Sequence, residues 1–382
     1  MILTNCAACA APLAHDAPRC VRCKTRYCNS TCQHDHWRRG HKQICKKIHR
    51  GGNAEQYNAD KKCKEAVAIA VEACADDTKG QKCYICLEAV HPRTGEGLVR
   101  GCACGDRDGV SSPELGVAHV SCLAEQAKIL VEEAEENKLD AEVKQVRWRR
   151  WDTCGLCEQS YHGVVRCALG WACWKTYVGQ PKADGFRRCS MTQLGNGLSL
   201  ANHNEDALSV QEAELSMLRR LGVSEYNILI AQGNLANTYE ALGRKDALRM
   251  RRDAYIGYSR LLGENDRVTL LVANNYALSL LKLEFYKEAK LLTHKCLPAA
   301  RLLGESDETM LRNRLYYAMA IYEDNTTTLD DLREAVTTLE ETERIARRVL
   351  GTAHPLVLGL GRRLENARFF HAREAGESVD SA

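Results

Sequence analysis

The chain of 382 residues has no apolar run of roughly 18 residues, the length that spans a bilayer, so no membrane-spanning helix is expected. Its first residues, Met1 to Cys6, have neither a basic segment nor an apolar core, so we expect no secretory signal. Cysteine is nearly missing beyond residue 200, where Cys296 stands alone. These absences favour a soluble cytoplasmic or nuclear protein without a membrane partner.

The other 19 of the 20 cysteines lie in residues 1–200, many of them in closely spaced pairs. A secreted disulfide scaffold would be short and would carry a signal peptide. Paired thiols in a long leaderless chain instead indicate a reduced intracellular protein whose thiolates bind metal. The hydrophobic content of 45% and charged content of 27% are typical of globular proteins, and the length predicts two or three domains.

Residues 6–45 carry eight soft metal ligands in four pairs: Cys6 and Cys9, Cys20 and Cys23, Cys28 and Cys32, His41 and Cys45. Tetrahedral zinc takes four ligands, and two or three intervening residues let one turn present both members of a pair to one ion. Eight ligands therefore predict two closed structural sites. Because the segment is too small for much apolar core, it should fold only with metal, each site contributing on the order of 10 kcal/mol.

The stretches Tyr27–Gln33, His36–Trp37 and Gly40–Cys45 resemble the signature of the MYND zinc finger. In that family the ligand pairs alternate between two ions. The resemblance therefore implies one site of Cys6, Cys9, Cys28 and Cys32 and another of Cys20, Cys23, His41 and Cys45.

Three residues near the last ligands have open roles. His34 and His36 are rival imidazoles for the place of His41. MYND modules bind short proline-containing peptides, and Trp37 is either a small-core residue or a residue that contacts such a peptide. No SET pattern follows, which disfavours the methyltransferase activity that sometimes accompanies this finger.

Positive charge is concentrated at the start of the chain. Residues 1–50 hold ten Lys and Arg against two Asp, although the whole chain has a net charge of only +3. This basicity permits nucleic-acid binding, as does the run of cations and aromatics from Val146 to Trp151. Basic side chains also commonly surround negatively charged zinc–thiolate sites, and a module surface on which Arg stacks on Trp explains the run better than nucleic-acid binding does. Nucleic acid is therefore the least favoured partner.

A connector over about residues 46–62 and a short predicted helix from Glu65 to Ala75 precede eight further ligands: Cys83 and Cys86, Cys102 and Cys104, His119 and Cys122, Cys154 and Cys157. A single histidine in the fifth place distinguishes this order from a plain zinc ribbon. The pattern predicts two more closed sites, and so about four zinc ions per chain. The remaining cysteines lack a complete ligand set, and Cys167 and Cys173 are predicted to pack within a helix.

The second ligand order resembles the RING-CH family of ubiquitin ligases, a cross-braced RING variant. The resemblance implies one site of Cys83, Cys86, His119 and Cys122 and another of Cys102, Cys104, Cys154 and Cys157. It also implies an apolar platform for a ubiquitin-conjugating enzyme at Ile85 and Leu156, with Trp148 or Trp151 completing the groove. RINGs orient a charged conjugating enzyme, so no catalytic residue of the chain's own is expected.

Several features depart from the RING-CH pattern. The spacer between Cys104 and His119 has 14 residues, with Gly105–Gly109 as an extra loop, and the spacer before Cys154 has 31 residues with a long predicted helix over Leu123–Lys144. Glu158 follows the last pair, where an active RING often has a basic residue. Most RING-CH ligases are also membrane-anchored. A zinc-stabilised binding module without ligase activity is therefore the alternative.

Residues from about 190 to 370 show an internal repeat. Leu-Gly pairs recur with glycines at Gly222, Gly263, Gly304 and Gly351, spaced by 41, 41 and 47 residues. Small residues recur in phase at Ala236, Ala277 and Ala318, and at Ala207, Ala247, Ala289 and Ala335. A loop insertion near Asn325–Asp330 accounts for the longer last interval. Alanine at these intervals predicts stacked helix pairs in close contact.

The period and pattern resemble tetratricopeptide repeats (TPR) of the longer kinesin-light-chain type, with four repeats of which the first is degenerate. The resemblance implies a helical solenoid whose concave surface binds peptides. Asn234 and Asn275 occupy equivalent first-helix positions and are predicted to contact a peptide backbone, although solvated side chains are the alternative. The third equivalent is Tyr316, so an asparagine ladder is incomplete.

We therefore expect a mostly α-helical protein with two small cross-braced zinc modules followed by a TPR solenoid. The predicted parts are a MYND finger (1–48), a linker with a helix (49–80), a RING-CH-like module (81–180), helical repeats (188–372) and a disordered tail (373–382). The expected function is zinc-dependent protein–protein interaction. A ubiquitin ligase with TPR substrate recognition and a non-enzymatic adaptor are the two sharper hypotheses.

Overall fold

The computed structural model describes residues 5–14, 16–104, 106–107, 110–111, 116–181 and 184–376. The chain forms two compact units, one of Met1–Cys102 with Gly116–Val223 and one of Ala103–Leu115 with Ser224–Ala382. The predicted class is confirmed, because helix pairs follow small cysteine-rich modules. Within the described residues, none of the helices is long and apolar enough to cross a membrane.

The first module is built on two short helices, α1 (Ser30–His36) and α2 (Lys42–Arg50). The side chain of Asn29 begins α1 by accepting a hydrogen bond from the backbone N–H of Cys32. A π-helical turn over Trp37–His41 joins the helices, and Gly40 at its bend has a φ of 122° that glycine adopts readily. This bend precedes His41, which is buried.

Helix α3 (Ala54–Ala73) starts earlier than the helix predicted from Glu65, inside the predicted connector. The reason is a cap: the side chain of Asn53 accepts hydrogen bonds from the backbone N–H groups of Glu55 and Gln56.

Short strands and two helices frame the second set of ligands. Strand β1 (Val99–Arg100) pairs antiparallel with β4 (Val117–Ala118), and β2 (Asp106–Arg107) pairs with β3 (Val110–Ser111). Asp106 and Arg107 therefore form a strand within the predicted loop Gly105–Gly109, whose other residues lie outside the described part of the chain.

The single helix predicted over Leu123–Lys144 is two helices, α4 (Val120–Glu136) and α5 (Ala141–Trp148). The chain turns at Lys138, which has a left-handed φ of 50°, and Asp140 then caps α5 by accepting from the backbone N–H of Val143. A 3₁₀ turn, Arg149–Trp151, follows directly.

Helix α6 (Gly163–Tyr177) is buried along most of its length and contacts α3, α4 and α7 (Gly185–Leu200). Helices α6 and α7 approach each other closely at two glycines. A Cβ added to Gly170 would lie 2.9 Å from the Gln193 carbonyl oxygen, and a Cβ added to Gly197 would lie 2.8 Å from the Arg166 carbonyl oxygen. Helix α8 (Asn204–Leu221) packs on α7. The helices α7 and α8, predicted as the first degenerate repeat, therefore belong to the first unit.

The second unit contains the remaining helices: α9 (Glu225–Ala241), α10 (Ala247–Leu262), α11 (Arg267–Lys282), α12 (Tyr286–Leu302), α13 (Glu308–Tyr322), α14 (Leu329–Leu350) and α15 (Pro355–Ala375). Each of these helices packs on the next, and α13 also packs on α11 and α15. They form three helix pairs and a terminal helix.

The sequence repeats have direct structural causes in this unit. Gly263, Gly304 and Gly351 have φ between 88° and 98°, which side chains rarely adopt, and each follows the second helix of a pair. The in-phase alanines are almost inaccessible, with Ala236, Ala277 and Ala318 at 0% exposure on the first helices. A larger side chain there would separate packed helices.

Residues 325–328 of the predicted insertion form a loop, and the helix that follows it is also longer than its counterparts. Helix α14 has 22 residues, against 16 in α10 and 17 in α12, and it begins within the predicted loop. Thr328 and Asp331 form a capping box that starts it. At the other end, α15 continues to Ala375 within the predicted tail, and residues 377–382 lie outside the described part.

Candidate metal centres

Four groups of cysteine and histidine side chains come together in the structure: Cys6, Cys9, Cys28 and Cys32; Cys20, Cys23, His41 and Cys45; Cys83, Cys86, His119 and Cys122; Cys102, Cys104, Cys154 and Cys157. Within each group the four ligand atoms lie within 4.8 Å of one another. These are the sets that the two resemblances implied. Consecutive ligand pairs alternate between sites in both modules, which gives the cross-braced arrangement.

The spacing of the ligand atoms fits zinc. Tetrahedral Zn–S bonds of about 2.3 Å place two sulfurs about 3.8 Å apart. The Sγ atoms of Cys9 and Cys28 are 3.6 Å apart, and those of Cys20 and Cys45 are 3.7 Å apart. The Cys23 Sγ lies 3.3 Å from the His41 Nε2, so that nitrogen is the one directed at the metal position.

The second module has the same spacing around its histidine. The His119 Nδ1 lies 3.4 Å from the Cys86 Sγ and 3.6 Å from the Cys122 Sγ. His119 is fully buried at the start of α4, where the ring of His91 packs edge-on against it at 5.3 Å. Four protein ligands close each site, so these donor sets suit structural zinc rather than a catalytic metal with an open position.

Four of the ligand pairs share one backbone turn. In each turn, the backbone N–H of the first cysteine donates to the carbonyl of the residue five positions later. The backbone N–H of the residue four positions later donates to the carbonyl of the first cysteine. The first cysteines of these turns are Cys6, Cys20, Cys83 and Cys154. The fourth residue after each adopts a left-handed φ near 60°: Ala10, Lys24, Leu87 and Glu158. None of these is glycine, so the metal turn holds ordinary residues in a conformation that they rarely adopt.

Backbone N–H groups in these turns favour the thiolate form that binds metal. The Cys28 N–H donates to the Cys6 Sγ at 3.4 Å. Burial alone would raise the pKa of the Cys6 thiol, but N–H groups of Ala8, Cys9 and Cys28 outweigh it and lower that pKa to about 6. The Ile85 and Leu156 N–H groups donate similarly to Cys83 and Cys154, each at 3.4 Å.

The two rival histidines lie outside the metal groups. His34 is exposed, and His36 shares a hydrogen bond of 3.0 Å with the Tyr27 hydroxyl while its ring stacks on His41 at 4.8 Å. His36 therefore supports the ligand and does not replace it. The Trp37 ring packs edge-on against His41 at 5.8 Å yet remains 38% exposed, so it has both a packed and an accessible side.

The predicted platform residues differ in accessibility. Ile85 is half-buried, and Leu156 is 49% exposed. The two metal turns that carry them are adjacent, because a Cβ on Gly155 would lie 3.7 Å from the Tyr84 hydroxyl.

The prediction that Trp151 contacts a partner is wrong, because its side chain is fully buried. It packs with the rings of Trp148 and Tyr177, and Phe186 stacks on both of these. The expected stacking of Arg on Trp within Val146–Trp151 is replaced by this aromatic cluster. The buried Arg166 adds a hydrogen bond to the same region by donating to the Trp151 carbonyl at 3.1 Å.

The predicted peptide-contact residues of the repeats lie on the first helices of successive pairs. Asn234 on α9 and Asn275 on α11 are half-buried, and Tyr316 on α13 is buried. Sequence reasoning missed a second asparagine pair: Asn313 donates to the Asn274 Oδ1 at 3.2 Å, and Asn274 donates to the Thr309 carbonyl at 2.8 Å. Both asparagines are buried, so this pair joins α11 to α13.

The leftover cysteines are placed as ordinary thiols. Cys63, Cys74, Cys167, Cys173 and Cys296 are buried, and Cys189 is exposed. Burial raises the pKa of the Cys63 thiol to about 11 and that of Cys167 to about 12, which keeps both protonated and unreactive at neutral pH.

Comparison with known proteins bears on two parts of the chain. No curated protein matches it. The crystal structure of kinesin light chain nearly identical TPR-like repeats from Podosopora anserina is similar over 52% of this chain and 91% of that one, with 18% identity and a TM-score of 0.41. A variant of that protein with one glutamine replaced by methionine has a TM-score of 0.42 at the same identity and coverage. The family model of the MYND finger matches residues 6–45. With its two ligand groups assembled, this segment is a MYND finger.

Proposed function

We propose that this chain is a non-enzymatic adaptor that binds protein segments through its MYND finger and through helices α9–α15, here called the helix-pair array. The observation that carries the proposal is the closure of all four metal groups by four protein ligands each. Zinc held in this way stabilises a surface and has no position for a substrate. Adjacent to the metal, the MYND finger presents the exposed side of Trp37.

The proposal assigns proline-containing peptides to the MYND finger. Replacing Trp37 with Ala should weaken binding of such peptides at least about tenfold, since an exposed tryptophan offers a large apolar contact that alanine lacks. Fluorescence anisotropy with the zinc-loaded full chain and a panel of labelled proline-containing peptides measures this. Peptides that bind the array should instead lose affinity when Asn234 and Asn275 are both replaced with Ala.

The matched control for Trp37 is Val21→Ala, because Val21 is 85% exposed on the same finger. It should leave peptide affinity unchanged. Metal analysis of each variant establishes that the finger remains loaded. If no peptide binds, or if Trp37→Ala binds as the unmodified chain does with all zinc present, the adaptor role of this surface is rejected.

A second candidate function, ubiquitin ligase, is favoured by one observation: the Cys83 and Cys154 metal turns are adjacent and carry the accessible Leu156 and the half-buried Ile85. Such an apolar pair would contact a ubiquitin-conjugating enzyme, and catalysis would consist of orienting it. If so, the chain with activating enzyme, ubiquitin and a panel of conjugating enzymes forms ubiquitin chains, and Leu156→Ala or Ile85→Ala abolishes them.

The matched control for the ligase assay is Ile129→Ala, an exposed apolar residue on α4 that should not alter the reaction. No chain formation with any conjugating enzyme would exclude the ligase and leave the adaptor. Chain formation that persists in both Leu156→Ala and Ile85→Ala would place the activity elsewhere.

A further inference from the structure

The last helix of the second unit has one covered face and one open face. Its inner residues Val357, Leu360, Leu364 and Ala367 are buried in the core shared with α13 and α14. Helix α15 occupies the place of a first helix in a pair, but no second helix follows within the described residues. The opposite face is at the surface, since Leu358 and Phe369 on it are each about half exposed.

Four exposed residues form a stripe along that open face: Leu358, Arg362, Glu365 and Phe369. Their spacings of four, three and four residues keep them on one side of the helix. Leu358 is 52% exposed and Phe369 is 49% exposed, so both ends of the stripe are apolar and its middle is charged.

The order of residues in this stripe is self-complementary. When a second copy of α15 runs antiparallel to the first about a twofold axis between residues 363 and 364, Leu358 faces Phe369 of the second copy and Arg362 faces its Glu365. Twofold symmetry makes each contact occur twice. A parallel pairing would instead place Arg362 against Arg362 and Glu365 against Glu365.

We propose that α15 is a dimerisation helix through which two copies of this chain associate antiparallel along this stripe. This inference goes beyond the adaptor function, which requires no second copy.

The charges around the stripe support a second copy as the occupant. The neighbouring arginines are already paired within the chain, Arg363 with Glu323 at 2.8 Å and Arg368 with Glu340 at 2.7 Å. Among the described residues, neither Arg362 nor Glu365 has an ion-pair partner. The antiparallel copy supplies one to each, and opposite charges that meet in one register select it over others.

The backbone of α15 also permits a close approach. A Cβ on Gly359 or Gly361 would have no other atom within 4 Å, so the flank of the stripe is open. Helices with small residues at a contact pack at the short end of the usual range of about 8–10 Å. A single helix pair is smaller than a standard interface, so the expected dimer is reversible, with a Kd on the order of 10 µM.

Charge reversal tests the register. Sedimentation velocity of the zinc-loaded full chain over about 1–200 µM should show a monomer–dimer equilibrium, consistent with that affinity. Arg362→Glu alone or Glu365→Arg alone places like charges together and should weaken association at least about tenfold. The double variant Arg362→Glu with Glu365→Arg restores opposite charges and should dimerise as the unmodified chain does.

Mixing the two single variants gives the sharpest result. In a mixed dimer, the introduced acidic side chain at position 362 of one copy faces the introduced basic side chain at position 365 of the other. In the reciprocal contact, the unchanged Glu365 of the first copy faces the unchanged Arg362 of the second, so both contacts join opposite charges. Each variant alone should therefore associate at least about tenfold more weakly, and the equimolar mixture should dimerise as the unmodified chain does. Phe369→Ala should weaken association at least about tenfold, because the truncated contact occurs twice.

Two control variants remove comparable groups elsewhere on the same unit. Leu291→Ala deletes an apolar side chain that is 72% exposed on α12, and Arg348→Glu reverses an exposed charge on α14. Neither should change association, and circular dichroism should be the same for all variants. A chain that stays monomeric over the whole concentration range overturns the proposal, as does a dimer that is insensitive to the charge reversals.

Discussion

Chelating the zinc should release about four ions per chain and unfold residues 6–45, with residues 83–157 losing their structure as well. The physical reason is visible in the core of the first module. Its seven buried members are Cys6, Cys20, Cys23, Tyr27, Cys45, Ile48 and Ala54, and four of them are metal ligands. Without metal, almost no core remains, and each structural site supplies on the order of 10 kcal/mol. Helices α9–α15 contain no ligand and should keep their helical signal.

Metal analysis and limited proteolysis measure both parts of this expectation. Cys23→Ser removes a fully buried ligand and should cost one zinc and protease resistance in the first module. Cys189→Ser alters an exposed thiol outside the four groups and should retain all zinc. His36→Asn tests the rival imidazole, and it too should retain full zinc content, since His36 stacks on the ligand without being one.

A zinc content of about two ions per chain would show that one of the two modules binds no zinc, since each module is expected to hold two tetrahedral sites. Loss of a zinc in His36→Asn, with full content in a His41→Asn chain, would show that the ligand assignment is wrong at that position.

Replacing Glu240 with Ala should lower the stability of helices α9–α11 by about 3 kcal/mol, because it leaves a buried arginine without its partner. Glu240 and Arg251 are 14% and 6% exposed, and the Arg251 Nη2 donates to the Glu240 carboxylate at 3.0 Å. Ser279 and Lys282 of α11 donate to the same carboxylate. Glu240 therefore links one helix pair to the next. Hydrogen exchange of the α9–α11 amides measures the loss of protection.

The same carboxylate makes this region acid-sensitive. Burial alone would raise the pKa of Glu240, but the hydrogen bonds from Lys282 and Ser279 and the charge of Arg251 lower it below its ordinary value of 4.5. A carboxyl whose folded pKa lies below its unfolded pKa stabilises the fold above the unfolded value, and that stabilisation is lost as pH falls through the folded one. Protection in α9–α11 should therefore decline in acid, and this component should be missing in Glu240→Gln.

The matched control for Glu240 is Asp246→Ala. Asp246 pairs with Arg249 at 3.1 Å, and both side chains are more than half exposed, so the change should stay within about 0.5 kcal/mol. Equal protection in Glu240→Ala and Asp246→Ala would show that the buried network does not stabilise this part of the array.

Local chemistry made much of this protein readable. Two ligands of one ion must lie on the same short turn, which fixes the spacing of the cysteine and histidine pairs. The sequence therefore predicts the eight ligands within residues 6–45 and the eight within residues 83–157. The Leu-Gly pairs recur for a local reason as well, because the chain adopts a positive φ after each second helix and glycine adopts that conformation readily. The in-phase alanines, such as Ala277, record how closely two helices approach.

The errors lie where neighbours distant in sequence decide the outcome. The RING-CH resemblance predicts Trp151 or Trp148 in a partner groove, yet Trp148, Tyr177 and Phe186 enclose Trp151. A resemblance in the order of the metal ligands cannot report that enclosure. The early start of α3 and the break between α4 and α5 are smaller errors, since Asn53 and Asp140 were readable as caps.

The ligands, the metal they suit and the helical period follow from the amino-acid sequence, because turns, tetrahedral coordination and helix packing each depend on residues at short, regular separations. Three features emerge only when the chain folds: α7 and α8 join the first unit, Glu240 bridges two helix pairs, and α15 leaves a charged and apolar stripe uncovered. These features depend on close approaches such as that of Gly170 to Gln193, which join residues far apart in the chain and leave no periodic mark in it.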